Sequence, residues 1–305
     1  MTGIGFLTEG VCITRVVREK GQRPQLELCE FTPCAESERL KTLAEGVQRY
    51  QLEGTPCVAV MEPGSYSLLQ VEAPDVDPTE LKAAVRWRIK DLIDFHIDDA
   101  VIDVFDIPGQ TQRGRVRMMY VVAARTSLIQ HRVDLLNAAG VELSAIDITE
   151  LVLRNVTALL PEDVAGVALL HLRPDGGLIT LTRQSTLYLA RALDVAADLS
   201  GPQTEAPGAA VTPRLLDTIA LEIQRSFDYY ESYFSQPPLS GLVISAQPPA
   251  AASDLIPQVG SHLGGSVRAL NLNAALECRE PLSEHLQALC LPAIGAALRV
   301  EEKAL

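Results

Sequence analysis

From Leu81 to Ile93 the apolar residues Leu81, Ala84, Val85, Ile89, Leu92 and Ile93 recur at the three-to-four-residue spacing of a single helical face. Asp77 is placed to cap such a helix, Pro78 suits its first position, and Glu80 sits where a capping-box carboxylate reaches back. Past Phe95 the period changes. Val101, Val104 and Phe105, with Ile102 and Asp103 among them, predict a partly buried strand with acidic residues on its open side. Trp87, the only tryptophan, lies between Arg86 and Arg88 off the centre of the apolar face, and points to a surface groove.

Around this stretch the pattern repeats. Ile4–Leu7, Val11–Val17 and Leu26–Phe31 read as three strands joined by glycine-ended turns. A helix with Leu40, Leu43, Ala44 and Val47 on one face follows, then short strands at Cys57–Met61 and Ser67–Val71. The same order returns from Gly166, with strands Val167–Leu172, Leu178–Thr182 and Thr186–Leu193. A Gly/Pro/Ala-rich loop over 198–212 leads to a long helix capped by Thr212 and opened by Pro213, and Leu242–Ser245 is the next buried strand. A β-β-β-α-β unit thus occurs twice, which predicts two similar α/β halves facing each other across a cleft. Between them, a strand over 115–124, a helix over 127–139 and a strand over 141–147 extend the opening helix and strand into an inserted subdomain. A helix over 149–160 returns to the first half, and Ala288–Arg299 is a small-residue helix suited to close packing. The predicted division is a first half over 1–163 with an insert at 73–147, and a second half over 164–305 whose helix at 288–299 packs back on the first.

Composition narrows the function. The 305 residues are 47% hydrophobic, enough for two sizeable cores, and the net charge is −13. Such a chain offers no basic footprint for nucleic acid and no Lys/Arg cluster for anionic lipid. No apolar run approaches the roughly 18 residues of a membrane-spanning helix. The opening MTGIGFLTEG has no charged leader, so the cytoplasm is the expected compartment. The six cysteines (12, 29, 34, 57, 278 and 290) form no C-x-x-C pair and read as reduced core thiols.

Catalytic signatures are missing. There is no G-x-x-x-x-G-K-[ST], no G-x-G-x-x-G between strand and helix, no H-E-x-x-H and no G-x-S-x-G. The histidines (96, 131, 171, 262 and 285) are scattered and read as structural or surface groups. Asp94, Asp98, Asp99, Asp103 and Asp106 are dense enough to raise a divalent cation, but they break the alternation that would gather them on one face. They read as a solvated helix end and strand edge.

The stretch Asp77–Ile107, the run LDTIALEIQRSFDYYESYFSQPP from Leu216 to Pro238, and the closing AIGAALR from Ala293 to Arg299 resemble the PilM family of type IV pilus assembly proteins. Within it they are most similar to the branch serving mannose-sensitive haemagglutinin (MSHA) pili. The resemblance runs through nearly the whole chain in the same order. It implies an α/β, actin-like ATPase fold: two ribonuclease-H-like halves with a small α+β subdomain inserted in the first. It also implies a cytoplasmic protein, peripheral at the inner membrane, that docks the cytoplasmic tail of a PilN-like bitopic protein and meets other pilus assembly proteins. That tail would lie between the first half and the insert, where Trp87 and Phe95 are the expected contacts. Actin-like folds often polymerise, so self-association is a further expectation.

The departures from the family pattern concern nucleotide. ATP-binding members carry G-x-D-x-G-S in the first hairpin; here Gly5 replaces the aspartate, Leu7 the glycine and Thr8 the serine. The D-x-G of the second hairpin is His171-Leu172-Arg173, with Gly176 and Gly177 one or two residues out of place. The adenosine-side G-G is Ala246-Gln247-Pro248-Pro249, in which the prolines have no N–H to donate, and Gly264-Gly265 lies too far downstream to stand in. The expectation is a pseudo-ATPase without cofactor or metal; the alternative is an active ATPase using Mg·ATP through variant loops.

Overall fold

The structure is a computed structural model that describes residues 1–110, 116–195, 212–262 and 265–300. Most of the loop expected over 198–212, and Gly264, fall outside the described residues. Strands β1 (Thr2–Leu7), β2 (Gly10–Val17) and β3 (Gln25–Pro33) form an antiparallel meander. Helix α1 (Arg39–Arg49) covers one face, and β4 (Pro56–Val60) returns parallel to β1, with β8 (Glu142–Asp147) parallel beyond it. The second sheet repeats this with β9 (Val167–Arg173), β10 (Gly176–Arg183), β11 (Thr186–Leu193), helix α5 (Pro213–Phe234), β12 (Gly241–Ala246), helix α6 (Ala250–His262) and β13 (Ser266–Ala269).

The order β11-β10-β9-β12-β13 matches β3-β2-β1-β4-β8, with the same directions. Even the register slips correspond: β2 and β10 each shift against the third strand after their sixth residue, at Arg15/Val16 and Leu181/Thr182. Residues 167–172 and the whole of β12 are buried, which is why they read as unbroken apolar runs rather than alternating ones. Thr212 Oγ1 accepts the Leu215 N–H to start α5, and Ser235, at φ 52°, ends it before Pro237.

After the one-turn helix α7 (Leu272–Ala275) comes α8 (Glu284–Ala297), which lies between the sheets with α4 (Thr149–Thr157), the two exchanged between halves. Helix α8 comes from the second half and rests on the first sheet, where Thr14 Oγ1 donates to Ala293 O at 2.8 Å. Helix α4 comes from the first half and rests on the second sheet, where Thr182 Oγ1 donates to Thr157 Oγ1 at 2.9 Å. The two helices cross at Gly295 and Val152, pinned by Asn155 Nδ2 donating to Gly295 O at 3.0 Å. Leu153 and Val156 of α4, Leu169 of β9, and Leu291 and Ile294 of α8 share one core there. The halves therefore form one hydrophobic unit.

The insert has its own sheet, ordered β5-β7-β6, from β5 (Tyr66–Glu72), β6 (Ala100–Asp106) and β7 (Met118–Arg125). One face is covered by α2 (Leu81–Ile89), whose Val85 and Ile89 meet Ile102, Val104 and Val121. The other face packs across onto the second half. Tyr120, 5.0 Å from Phe105, donates its hydroxyl to Tyr188 O at 3.3 Å, and the Tyr188 ring stands edge-on to Tyr230 and Phe234.

The insert differs from the expected 73–147 span. It begins with β5 and ends with β7, over residues 66–125, because β8 extends the first sheet alongside β4 and helix α3 (Thr126–Ala138) packs against α1 and β8. Helix α2 is also shorter than its apolar pattern. Asp77 accepts from the N–H and hydroxyl of Thr79 instead of capping the helix, and Leu92 is exposed. In β6 Ala100, Ile102 and Val104 face the insert's core, so Val104 is buried as expected, Val101 faces out and Phe105 packs toward the second half. Helix α8 starts four residues before the expected 288. Helix α6, which carries Pro257 internally, and strand β13 are further elements of the second half that the apolar pattern left unassigned.

All six cysteines are free. Cys12, Cys57 and Cys290 are buried, and Cys12 Sγ lies 3.2 Å from Cys290 Sγ. Burial pushes the Cys57 thiol up to about 12. Such a thiol stays protonated and unreactive at neutral pH.

Candidate functional site in the cleft between the halves

Two hollows that share Pro63, Arg173 and Asp175 in their linings open where the halves meet. The outer one, about 620 Å³, lies between the β1–β2 turn and the β9–β10 turn, with Gln247 at its back. The inner one, about 290 Å³, is bounded by Tyr66 and Leu68 of β5, the first turn of α4, and strands β9 to β11.

The outer hollow is dominated by charge that the protein already pairs. Arg39, at the start of α1, donates to the Leu7 carbonyl at 2.8 Å and to Glu62 Oε1 at 3.1 Å. Arg132 of α3 donates to Glu62 Oε2 at 2.6 Å, with its guanidinium 3.9 Å from the centre of the Phe6 ring. Arg173 is held by Asp175 at 2.6 Å. The lining contains Glu9, Glu36, Glu62 and Asp175 against Arg39 and Arg173, an acidic excess. None of this pairing was visible in the sequence, because Arg39, Glu62 and Arg132 lie on separate elements and form no local motif.

The residues singled out as nucleotide-loop positions divide between these surfaces. Gly5 faces α8, and a Cβ there would lie 3.3 Å from Ala293 Cβ, so the helix already takes the room a larger side chain would need. Leu7 and Thr8 line the outer hollow. Gly176 and Gly177 do not belong to the second turn, contrary to the expectation from the sequence. Gly177 stands in the ladder, opposite Leu172 on one side and Leu193 on the other, which leaves Pro174 and Asp175 as the turn. Pro174 has no N–H to offer there.

His171 is the buried group of the site, only 2% exposed and lining the inner hollow. Neither ring nitrogen has a protein partner. Burial, with the Arg173 guanidinium adding to it, pushes the imidazole down to about 3, so it is neutral at any physiological pH. Beside it in the lining is Glu150, 8% exposed, which accepts the Tyr66 hydroxyl at 2.6 Å; Tyr66 in turn accepts the Thr149 N–H at 3.1 Å. Burial raises the Glu150 carboxyl, only partly offset by the Tyr66 hydrogen bond. Tyr66 and Glu150 carried no sequence signal, since their meeting depends on how β5 and α4 are juxtaposed.

The His171 environment sets a pH dependence. The unfolded chain takes up a proton near 6.5, and the folded chain only near 3. The stability held by neutral His171 is thus complete above 6.5 and is lost as pH falls through that window. Between pH 7 and pH 5 the loss should be about 2 kcal/mol. Buried Glu150 and Asp147, whose carboxyls are raised, act in the opposite sense, losing stability as pH rises. Comparison with His171→Leu isolates the histidine: denaturant unfolding at the two pH values should show the variant losing about 2 kcal/mol less. Equal losses would mean His171 is protonated in the folded state.

The expected tail contacts are placed apart. Trp87 is 75% exposed on the outer side of α2, with Lys90 Nζ 5.7 Å from its ring centre. Phe95 is half-buried on the rim of the insert's core, under the Arg125 guanidinium at 4.6 Å. Neither lines the hollows above. The acidic residues of this region are dispersed into ion pairs, Asp103 with Lys82 at 2.8 Å and Asp106 with Arg117 at 2.7 Å. Among the described residues no cluster could hold a metal ion, and no helix is long and apolar enough to cross a membrane.

This fold recurs in a solved structure. The PilM–PilN type IV pilus biogenesis complex contains a chain that superposes with a TM-score of 0.70, at 18% identity, over 97% of each chain. The chain has a PilM-like, actin-like ATPase fold. The cytoplasmic domain of EpsL, an inner-membrane component of the type II secretion system of Vibrio cholerae, matches at a TM-score of 0.48 and 14% identity over 98% of each chain. A Bacteroides thetaiotaomicron protein described as having an actin-like ATPase fold and unknown function matches at 0.49 and 9% identity over 94% of each. No family model and no curated protein matches the sequence.

Proposed function

We propose that this chain is a non-catalytic scaffold of a type IV pilus machine, which docks the cytoplasmic tail of a PilN-like inner-membrane protein. The observation that carries this is the end-to-end match to the PilM-type chain of a complex solved with PilN. Work in an MSHA-like pilus, at the cytoplasmic face of the inner membrane and with other assembly proteins, is the finer form of the reading. Trp87 is the proposed anchor, as a large exposed aromatic on the insert, with Phe95 shaping the adjoining surface. Trp87→Ala should weaken binding of a PilN-like tail peptide about tenfold or more, measured by fluorescence anisotropy, with Phe95→Ala a smaller loss. Unchanged affinity in both variants would move the docking site elsewhere.

The cleft does not fit Mg·ATP. A triphosphate would meet four carboxylates and two arginines already engaged by Glu62 and Asp175. No carboxylate stands at Gly5 to organise a metal, and Gln247 is followed by Pro248, which has no amide to offer. The pseudo-ATPase reading rests on these features. The size of the outer hollow favours the alternative of an active ATPase. Calorimetry with Mg·ATP decides between them: no heat at millimolar nucleotide supports the scaffold, and micromolar binding supports the enzyme.

A further inference from the structure

The inner hollow is more than the floor of a disused nucleotide cleft. Its lining is divided: Leu68, Leu178, Ala190, Ala192 and Leu193 form an aliphatic wall, and Glu150, His171, Tyr66 and Thr149 form a polar end, with the Arg173–Asp175 pair at the rim. The formal charges are two carboxylates, Glu150 and Asp175, against one guanidinium, Arg173. Arg173 is spent on Asp175. Glu150 is left with the Tyr66 hydroxyl, its own backbone N–H and no cation, because among the described residues no lysine, arginine or histidine pairs with it. A carboxylate buried this deeply is costly unless a positive charge or a proton meets it. His171 is a second unmet group in the same wall, with neither ring nitrogen partnered. Its ring nitrogens are closed off from solvent, so the imidazole borders the chamber as a neutral wall.

We propose that this chamber binds an aliphatic ammonium, with the charged head against Glu150 and the alkyl chain along the Leu178–Leu193 wall. One positive charge balances the lining. An ammonium donates a charge-assisted hydrogen bond to a Glu150 oxygen. A volume of about 290 Å³ suits a chain of a few carbons rather than a nucleotide. The chemistry is shared by a free alkylamine and by a lysine side chain of another protein. This proposal is independent of the tail-docking reading, which concerns a different surface.

The full chain is titrated with n-butylammonium, followed by calorimetry and melting temperature, with n-butanol as the uncharged control. Butylammonium should bind and raise the melting temperature, butanol should bind at least tenfold more weakly, and Glu150→Gln should remove the preference. In protein labelled with 15N-histidine, the ring resonances of His171 should move on saturation, which places the amine in the chamber. If Glu150→Gln fails to fold, Ala190→Leu, which fills the aliphatic wall, should abolish binding instead. No binding of butylammonium, equal binding of butanol, or binding that leaves the His171 resonances unmoved overturns the proposal. Nα-Acetyl-lysinamide distinguishes the sources: binding equal to butylammonium assigns the site to a lysine side chain, and exclusion assigns it to a free amine.

Discussion

Gly295→Ala is expected to lower the melting temperature by roughly 5 to 10 °C, the response of a large domain to a loss of about 3 kcal/mol. The added Cβ would sit 2.2 Å from Val152 O and 2.7 Å from Val152 C. These are backbone atoms, so no rotamer change relieves the contact, and α8 must move away from α4. That movement opens the core shared by Leu153, Leu169, Leu291 and Ile294, which holds the two halves together. Gly3 tests the other side of the same helix. Its Cβ would lie 2.0 Å from Ala293 O, so Gly3→Val, with two further methyl groups, should leave little folded protein. A melting temperature within about 1 °C of wild type for Gly295→Ala would show that the helices are not in this contact.

Arg299→Met should cost about 3 to 5 kcal/mol, the range for removing one partner of a buried ion pair. Asp147 at the end of β8 is only 3% exposed by side chain, and Arg299 Nη1 donates to it at 2.5 Å. Its other oxygen takes the Ile148 N–H at 2.9 Å. Burial raises the Asp147 carboxyl even with Arg299 present; without it the raise should grow. A raised carboxyl holds its stability below the unfolded value of 3.8 and loses it as pH rises through the folded value. The variant should therefore recover toward wild type on acidification. Adding Asp147→Asn should return part of the loss at neutral pH, because no buried charge is then unpaired. Denaturant unfolding of the two variants checks both, and an Arg299→Met protein as stable as wild type would mean the pair is solvated.

The repeat of strands and helices was legible because each element advertises itself locally. The apolar runs of β9 and β12, the cap and proline that start α5, and the glycine-ended turns all act within a few residues. The ends of the insert were less legible. Residues 66–72 read as a strand either way, and only pairing with β7 rather than β4 gives them to the small sheet. Helix α2 was over-read because Leu92 and Ile93 continue the apolar period after the backbone has left the helix.

The sequence by itself determined two matching α/β units, an insert of helix and strand and an acidic net charge. These follow from local periodicity and from which side chains are present at all. Only the tertiary structure decided that α4 rests on the second sheet, that Arg39, Glu62 and Arg132 pair within the cleft, and that Glu150 and His171 line one chamber. The physical reason is sequence separation. Val152 meets Gly295 and Glu62 meets Arg132 only after the chain has closed long loops, and no short-range pattern records which distant faces will then be buried together.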